Sequence, residues 1–211
     1  MKKHLITLIL FTTINAGFAQ TVSYGLKAGV NFAKQSLSNV ATPVHSNLLT
    51  GANVGGIVDF AYTNFSIQPG LFFTTKGERF VQDLVKGDEI FVGGSTTKYI
   101  LNYIEVPVNF LYKTPLVNGA GLRLGGGPYF AYGLSAKLSR DGTDYHGSFG
   151  NNPTDAAYYK NPDYGLNFIA GATIDRYIFD LQYDLGLANL AYSSATLQNR
   201  VISFSVGYLF K

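Results

Sequence analysis

Val22-Ser-Tyr-Gly-Leu-Lys-Ala-Gly-Val-Asn-Phe32 alternates without a break. Tyr24, Leu26, Ala28, Val30 and Phe32 fall on one face, and Ser23, Gly25, Lys27, Gly29 and Asn31 on the other. A period of two marks an extended strand, because successive side chains point to opposite sides. The run is also near the roughly 9–11 residues that a tilted strand needs to cross a bilayer.

Seven further runs repeat this pattern: 52–62, 65–75, 99–112, 122–138, 164–174, 177–185 and 201–210. Their apolar faces carry residues such as Val54, Phe73, Val106, Leu124, Phe168, Leu181 and Phe204. Their other faces carry Asp59, Gln68, Glu105, Asn109, Arg123, Asn167, Asp180, Asp184 and Ser203, with many glycines. On the fifth run Ser135 and Lys137 are expected on that second face. Ile57 breaks the alternation of the second run. Pro107 cannot donate a ladder hydrogen bond, so it is expected to weaken the fourth strand or mark a bulge.

The connections alternate in length. Thr63-Asn64 and Asp175-Arg176 are tight turns, and the link after the fourth run is short. The other links, 33–51, 77–98, 139–163 and 186–200, are long. Short turns on one side and long loops on the other are the habit of outer-membrane β-barrels.

Residues 1–19 read as a cleavable signal peptide, leaving 20–211 as one barrel domain. Lys2 and Lys3 give the positive start, Leu5 to Phe11 the apolar stretch, and Gly17 and Ala19 the small residues before a cut at Gln20. No other run is long enough for a membrane-spanning helix. Charged residues are 14% of the chain, against about a quarter in soluble domains. There is no cysteine, which excludes disulfides and thiolate chemistry. Losing Lys2 and Lys3 takes the formal charge from +3 to +1, and no basic block argues for nucleic acid.

Alternation alone leaves open which face is outside. A water-soluble barrel would need a charged coat. Here the polar face is mainly Gly, Ser, Asn, Gln and Thr, which suits a narrow lumen filled by side chains. Outer-membrane lipid is therefore the expected partner of the apolar face. Tyr24, Tyr62, Phe65, Tyr112, Tyr164, Tyr177, Tyr208 and Phe210 lie near strand ends, where interfacial aromatic girdles belong. Hydrocarbon offers the backbone no hydrogen bonds, so the sheet must close, with the last strand pairing with the first. The expected fold is all-β, an eight-stranded antiparallel up-and-down transmembrane barrel.

Several stretches resemble the PorT-like outer-membrane β-barrel family, a Bacteroidetes-type domain of OmpA/OmpX-like architecture. These are Tyr24-Gly-Leu-Lys-Ala-Gly-Val-Asn-Phe32, Gln68-Pro-Gly-Leu-Phe-Phe-Thr-Thr-Lys-Gly77, Tyr103-Ile-Glu-Val-Pro-Val108 and Gly125-Gly-Gly-Pro-Tyr129. Phe204-Ser-Val-Gly-Tyr-Leu-Phe-Lys211 is similar to the closing-strand signal read by the barrel assembly machinery. The resemblance implies outer-membrane residence and that machinery as a partner in biogenesis. The family's namesake serves a protein-secretion and gliding system, which makes an accessory role in secretion an alternative function. No catalytic set carries over.

Chemistry is sparse. His45 and His146 are the histidines outside the leader. His146 with Ser148, Asp144 or Asp141 is the one conceivable set for a lipid-modifying enzyme at the rim. A solvated loop histidine is the simpler reading, and the protein is expected not to be an enzyme. Asp141-Gly-Thr-Asp144 lacks the full ligand series of a calcium loop. Gly125-Gly-Gly127 is no phosphate loop, because no Lys-Ser/Thr pair follows. Neither metal nor cofactor is expected. Lys27, Asp59, Glu105, Arg123, Asp180 and Asp184 share the inner face and are expected to pair in a luminal network that plugs the barrel. Recognition of a protein partner would fall to the loops, where Tyr145, Phe149, Tyr158 and Tyr159 are candidate surface contacts.

Overall fold

The computed structural model describes residues 21–39, 46–81, 84–86, 89–91, 95–150 and 158–210. The leader and His45 lie outside these residues. The strands are β1 (Thr21–Ser38), β2 (Leu49–Ala61), β3 (Phe65–Val81), β4 (Leu84–Lys86), β5 (Glu89–Phe91), β6 (Thr96–Pro115), β7 (Ala120–Arg140), β8 (Thr143–Gly147), β9 (Asp163–Ile174), β10 (Tyr177–Gly186) and β11 (Thr196–Phe210).

Eight of them form a closed antiparallel ring in the order β1, β2, β3, β6, β7, β9, β10, β11. β11 returns to β1, with Tyr24 opposite Phe210 and Ser38 opposite Thr196. Closure gives the ring's backbone groups partners inside the sheet, as hydrocarbon demands. Short links join β2 to β3, β6 to β7 and β9 to β10, so the barrel has a turn end and a loop end.

The two faces separate by chemistry. Leu26, Val54, Leu71, Phe110, Leu124, Phe168, Leu181 and Phe204 point outward and are exposed. Lys27, Asn31, Gln68, Lys76, Glu105, Arg123, Asn167, Asp180 and Ser203 point inward and are buried. Such a molecule is inside out for water and right side out for lipid. Aromatic residues gather at the turn end: Phe65 meets Tyr112, and Tyr208 meets both Tyr177 and Phe210, with ring centroids 5.2–5.3 Å apart. Tyr164 lies at the loop end of β9.

The long strands outrun the expected ones at the loop end. β3 continues to Val81, β6 begins at Thr96 and β7 continues to Arg140. Their paired ends stand above the apolar band as a sheet, and β8 adds a further strand along Ala136–Arg140 of β7. Residues 143–147, expected as loop, are therefore strand. Asp141 and Gly142, both at positive φ (48° and 85°), form the hairpin turn between β7 and β8. An Asp-Gly pair at positive φ is the favoured two-residue hairpin link.

Two local expectations are corrected. Pro107 sits inside an unbroken β6, and the register shift falls at Asn102/Tyr103. There Asn102 faces Ser135 and Tyr103 faces Gly133, leaving Leu134 as the extra residue on β7. A bulge of one residue reverses the side-chain phase beyond it. Ala136 is consequently buried, while Ser135 is exposed and Lys137 leaves the lumen. Ile57, the break in the β2 pattern, points inward and packs with Phe72, Ile178 and Leu209.

The Gly125–Gly127 stretch allows close approach of three strands. A Cβ on Gly125 would collide with the Phe110 carbonyl oxygen, one on Gly127 with that of Val108, and one on Gly126 with that of Asn167.

Candidate functional site

The lumen holds two groups of charge, both on inward positions of neighbouring strands. At the turn end Lys27 Nζ donates to Asp180 Oδ2 at 2.6 Å, and Arg123 Nε lies 3.2 Å from Asp180 Oδ1. Arg123 Nη2 donates to Gln68 Oε1 at 2.9 Å, Gln68 Nε2 donates to Asp59 Oδ1 at 3.2 Å, and Lys113 pairs with Asp59. Buried charges persist only when paired and hydrogen-bonded, and this chain links six side chains across six strands.

Higher in the lumen Lys76 Nζ lies 2.7 Å from Glu105 Oε2 and 3.2 Å from Asp163 Oδ2. The Tyr129 ring faces the same ammonium at 4.2 Å and the Tyr103 ring at 5.4 Å. Asn199 Nδ2 donates to Asp163 at 2.9 Å, and Gln35 Nε2 donates to Asn199 at 3.2 Å. Asp184 accepts from Gln182 Nε2 at 2.7 Å. A ring of small polar groups lies between the two: Asn31 Nδ2 donates to Thr74 at 2.9 Å, and Ser203 Oγ donates to Asn31 Oδ1 at 2.8 Å.

All six residues assigned to the inner face by alternation, Lys27, Asp59, Glu105, Arg123, Asp180 and Asp184, lie buried in the lumen. The reading missed Lys76, Asp163, Lys113 and Asn199. Lys76 follows Thr74 in the same phase, and Asp163 directly precedes Tyr164, so extending each run by a residue or two finds them. Lys113 directly follows Tyr112 on the inner phase of β6.

Apolar clusters accompany both charge groups. Ile57, Phe72, Ile178 and Leu209 pack beside the lower one. At the loop end Leu101, Tyr103, Tyr129, Tyr159 and Leu190 form a cluster with Phe149 against it. Phe149 and Tyr159, expected as surface contacts, therefore belong to this stopper: Tyr159 is buried, and Phe149 meets Tyr103 with centroids 5.2 Å apart. The phenol of Tyr159 titrates well above its ordinary range, chiefly because it is buried. Tyr158 packs on Tyr192 at 4.7 Å. Of the four, Tyr145 is exposed.

At the rim His146 is exposed on β8. Asp144 is engaged by Lys137 Nζ at 2.6 Å, which holds its carboxyl below the ordinary range with help from Ser139. Asp141 accepts from Ser95 Oγ and the Thr96 amide, each at 2.7 Å, and these bonds hold its carboxyl low as well. The carboxylates proposed as partners of His146 thus serve the hairpin instead. Among the described residues no cluster of three metal-ligating groups occurs.

Solved structures of similar shape include Ail, the attachment invasion locus protein of Yersinia pestis, crystallised with the heparin analogue sucrose octasulfate. It is 13% identical with a TM-score of 0.44, over 90% of this chain and 99% of that one. Neisserial surface protein A is 13% identical at TM-score 0.48 over 90% and 99%. OprG of Pseudomonas aeruginosa is 10% identical at TM-score 0.48 over 90% and 97%. No curated protein sequence matches the chain. The profile described as outer membrane protein beta-barrel domain matches residues 18–192, most of the chain. With its closed ring and apolar outer face, the chain belongs to that family and resides in the outer membrane.

Proposed function

We propose that this barrel is not an enzyme and that it works by contact at the cell surface through the sheet raised above the lipid band. The observation that carries this reading is the contrast along the axis. The lumen is filled by paired charges and is covered at the loop end by an apolar cluster, which suits neither a solute path nor a substrate pocket. Above it, β3, β6, β7 and β8 continue as ordered sheet and display Lys98, Arg140, Asp144, Tyr145 and His146 to solvent. Ordered exposed strands give a rigid platform for recognition, where a floppy loop would lose more entropy on binding.

The test compares cells carrying the barrel with cells carrying Arg140→Ala, Tyr145→Ala and His146→Ala together. Adhesion or cell–cell aggregation is expected to fall in the triple variant at equal surface abundance. Unchanged adhesion, together with hydrolysis or acyl transfer by the purified barrel that is lost in His146→Ala, reverses the reading in favour of a rim-sited lipid-modifying enzyme.

The resemblance of the 68–77 and 125–129 stretches to the PorT-like family supports a second reading, an accessory role in protein secretion. A deletion strain that secretes normally removes it.

A further inference from the structure

Above the lipid band β3, β6 and β7 share one cross-strand row. Arg79 lies opposite Lys98, and Lys98 lies opposite Ser139. Side-chain phase fixes the face. Lys76 and Glu78 of β3 and Leu101 and Tyr103 of β6 are buried inside, so Arg79 and Lys98 take the outward face. A cavity of about 320 Å³ opens there, walled by Arg79, Thr96, Lys98, Ser139, Asp141 and Gly142.

Its charge is unbalanced. Two cations directly opposite each other on neighbouring strands repel. Among the described residues neither Arg79 nor Lys98 forms an ion pair. The Asp141 carboxylate in the same wall is engaged by Ser95 Oγ and the Thr96 amide, each at 2.7 Å. Asp144, opposite Ser139 on β8, is held by Lys137 at 2.6 Å. Arg79 Nε is buried and has no acceptor. A buried N–H without an acceptor at a cavity wall calls for an oxygen from outside the chain. A guanidinium beside an ammonium matches the oxygens of a phosphate.

Height distinguishes a lipid phosphate from a free one. Thr75, Asn102 and Ser135 make the first polar row above the apolar band, joined by side-chain hydrogen bonds of 2.9 and 3.0 Å. Phe73, Ile104 and Tyr132 stand in the row below. Arg79 and Lys98 are four residues beyond the polar row on their strands. At the usual strand tilt that is about 10 Å higher. Long basic side chains reach back along an apolar surface with their charge in the wet layer. Their charges thus fall in the headgroup layer, roughly 5–7 Å deep on each side of the hydrocarbon.

We infer that this cavity seats the phosphate monoester headgroup of an outer-leaflet lipid, held by Arg79 and Lys98 with the Thr96 hydroxyl as a further donor. The acyl chains of that lipid lie along the wall below, over Phe73, Ile104 and Tyr132. The inference rests on outer-membrane residence and not on the adhesive role proposed above.

The test is native mass spectrometry of the whole barrel in neutral detergent, with dioleoyl phosphatidic acid and dioleoyl phosphatidylcholine as probes. A single phosphatidic acid is expected to stay on the wild-type barrel under conditions that strip phosphatidylcholine. Equal retention of the two lipids overturns the proposal, and this readout needs no variant. In the double variant Arg79→Gln, Lys98→Gln retention of phosphatidic acid is expected to fall about tenfold. Lys34→Gln removes an exposed cation on the outward face of β1 and is expected to leave retention unchanged. An equal fall in Lys34→Gln reduces the effect to net charge and overturns the site. Displacement of the lipid by an equimolar amount of inorganic phosphate assigns the cavity to a free anion and overturns the lipid as its occupant.

Discussion

Toward the turns the lumen spreads its charge over a chain, Lys113, Asp59, Gln68, Arg123, Asp180 and Lys27, in which both carboxylates have a cation beside them and Asp180 has two. Toward the loops Lys76 alone serves Glu105 and Asp163. The first arrangement has redundancy and the second has none. The same inward-facing chemistry therefore produces one half that tolerates loss and one half that depends on a single side chain.

The sharpest way to break this comparison is Lys76→Met. It strands buried carboxylates and is expected to cost about 3–5 kcal/mol, read as a fall in the urea midpoint of the barrel in vesicles. Next is the lipid face: Leu26→Arg is expected to cost about 2–4 kcal/mol at mid-membrane depth. A neutral outcome there means that the two faces are reversed. Lys27→Met should cost less, about 1–3 kcal/mol, because Arg123 remains 3.2 Å from Asp180. If Lys27→Met proves as damaging as Lys76→Met, redundancy is not the difference between the halves.

The smallest effect is expected from Lys137→Ala on the raised sheet, whose partner Asp144 is solvent-exposed. Its effect on the unfolding midpoint should vanish at about 1 M salt, where screening acts over roughly 3 Å. The Asp144 carboxyl is held below its ordinary range in the folded protein. The contribution of this pair is therefore present at neutral pH and lost as pH falls through the folded-state value. A Lys137→Ala variant that matches the wild type at acid pH but not at neutral pH agrees with that sign.

Strict alternation made the membrane-embedded wall legible from the residues. Tyr24 to Phe32 defines both faces of β1, and the same rule puts Glu105 and Asp180 inside. It fails where its premise fails. Leu134 is an extra residue, so the phase assumed for Ser135 and Lys137 inverts. Above the lipid band the outward face no longer needs to be apolar, and the pattern fades. The strand ends at Lys76–Val81 and Thr96–Lys98 and the short β8 therefore read as loop. The stopper at the loop end was hidden for another reason. Phe149 and Tyr159 are aromatic residues in a polar stretch, and nothing local distinguishes an anchor that folds back over the mouth from one that faces a partner.

The β1–β11 seam has a consequence for how the molecule is made. Tyr24 and Phe210 lie opposite each other, although almost the whole chain separates them in synthesis. The opening strand cannot find its final neighbour until the closing strand has emerged, so the ring is not completed progressively from the ribosome outward. A premature stop before β11 would leave two unpaired edges, on β1 and β10, in a solvent that offers them nothing. Quality control of this protein therefore reduces to a single late event, the zipping of its first strand to its last.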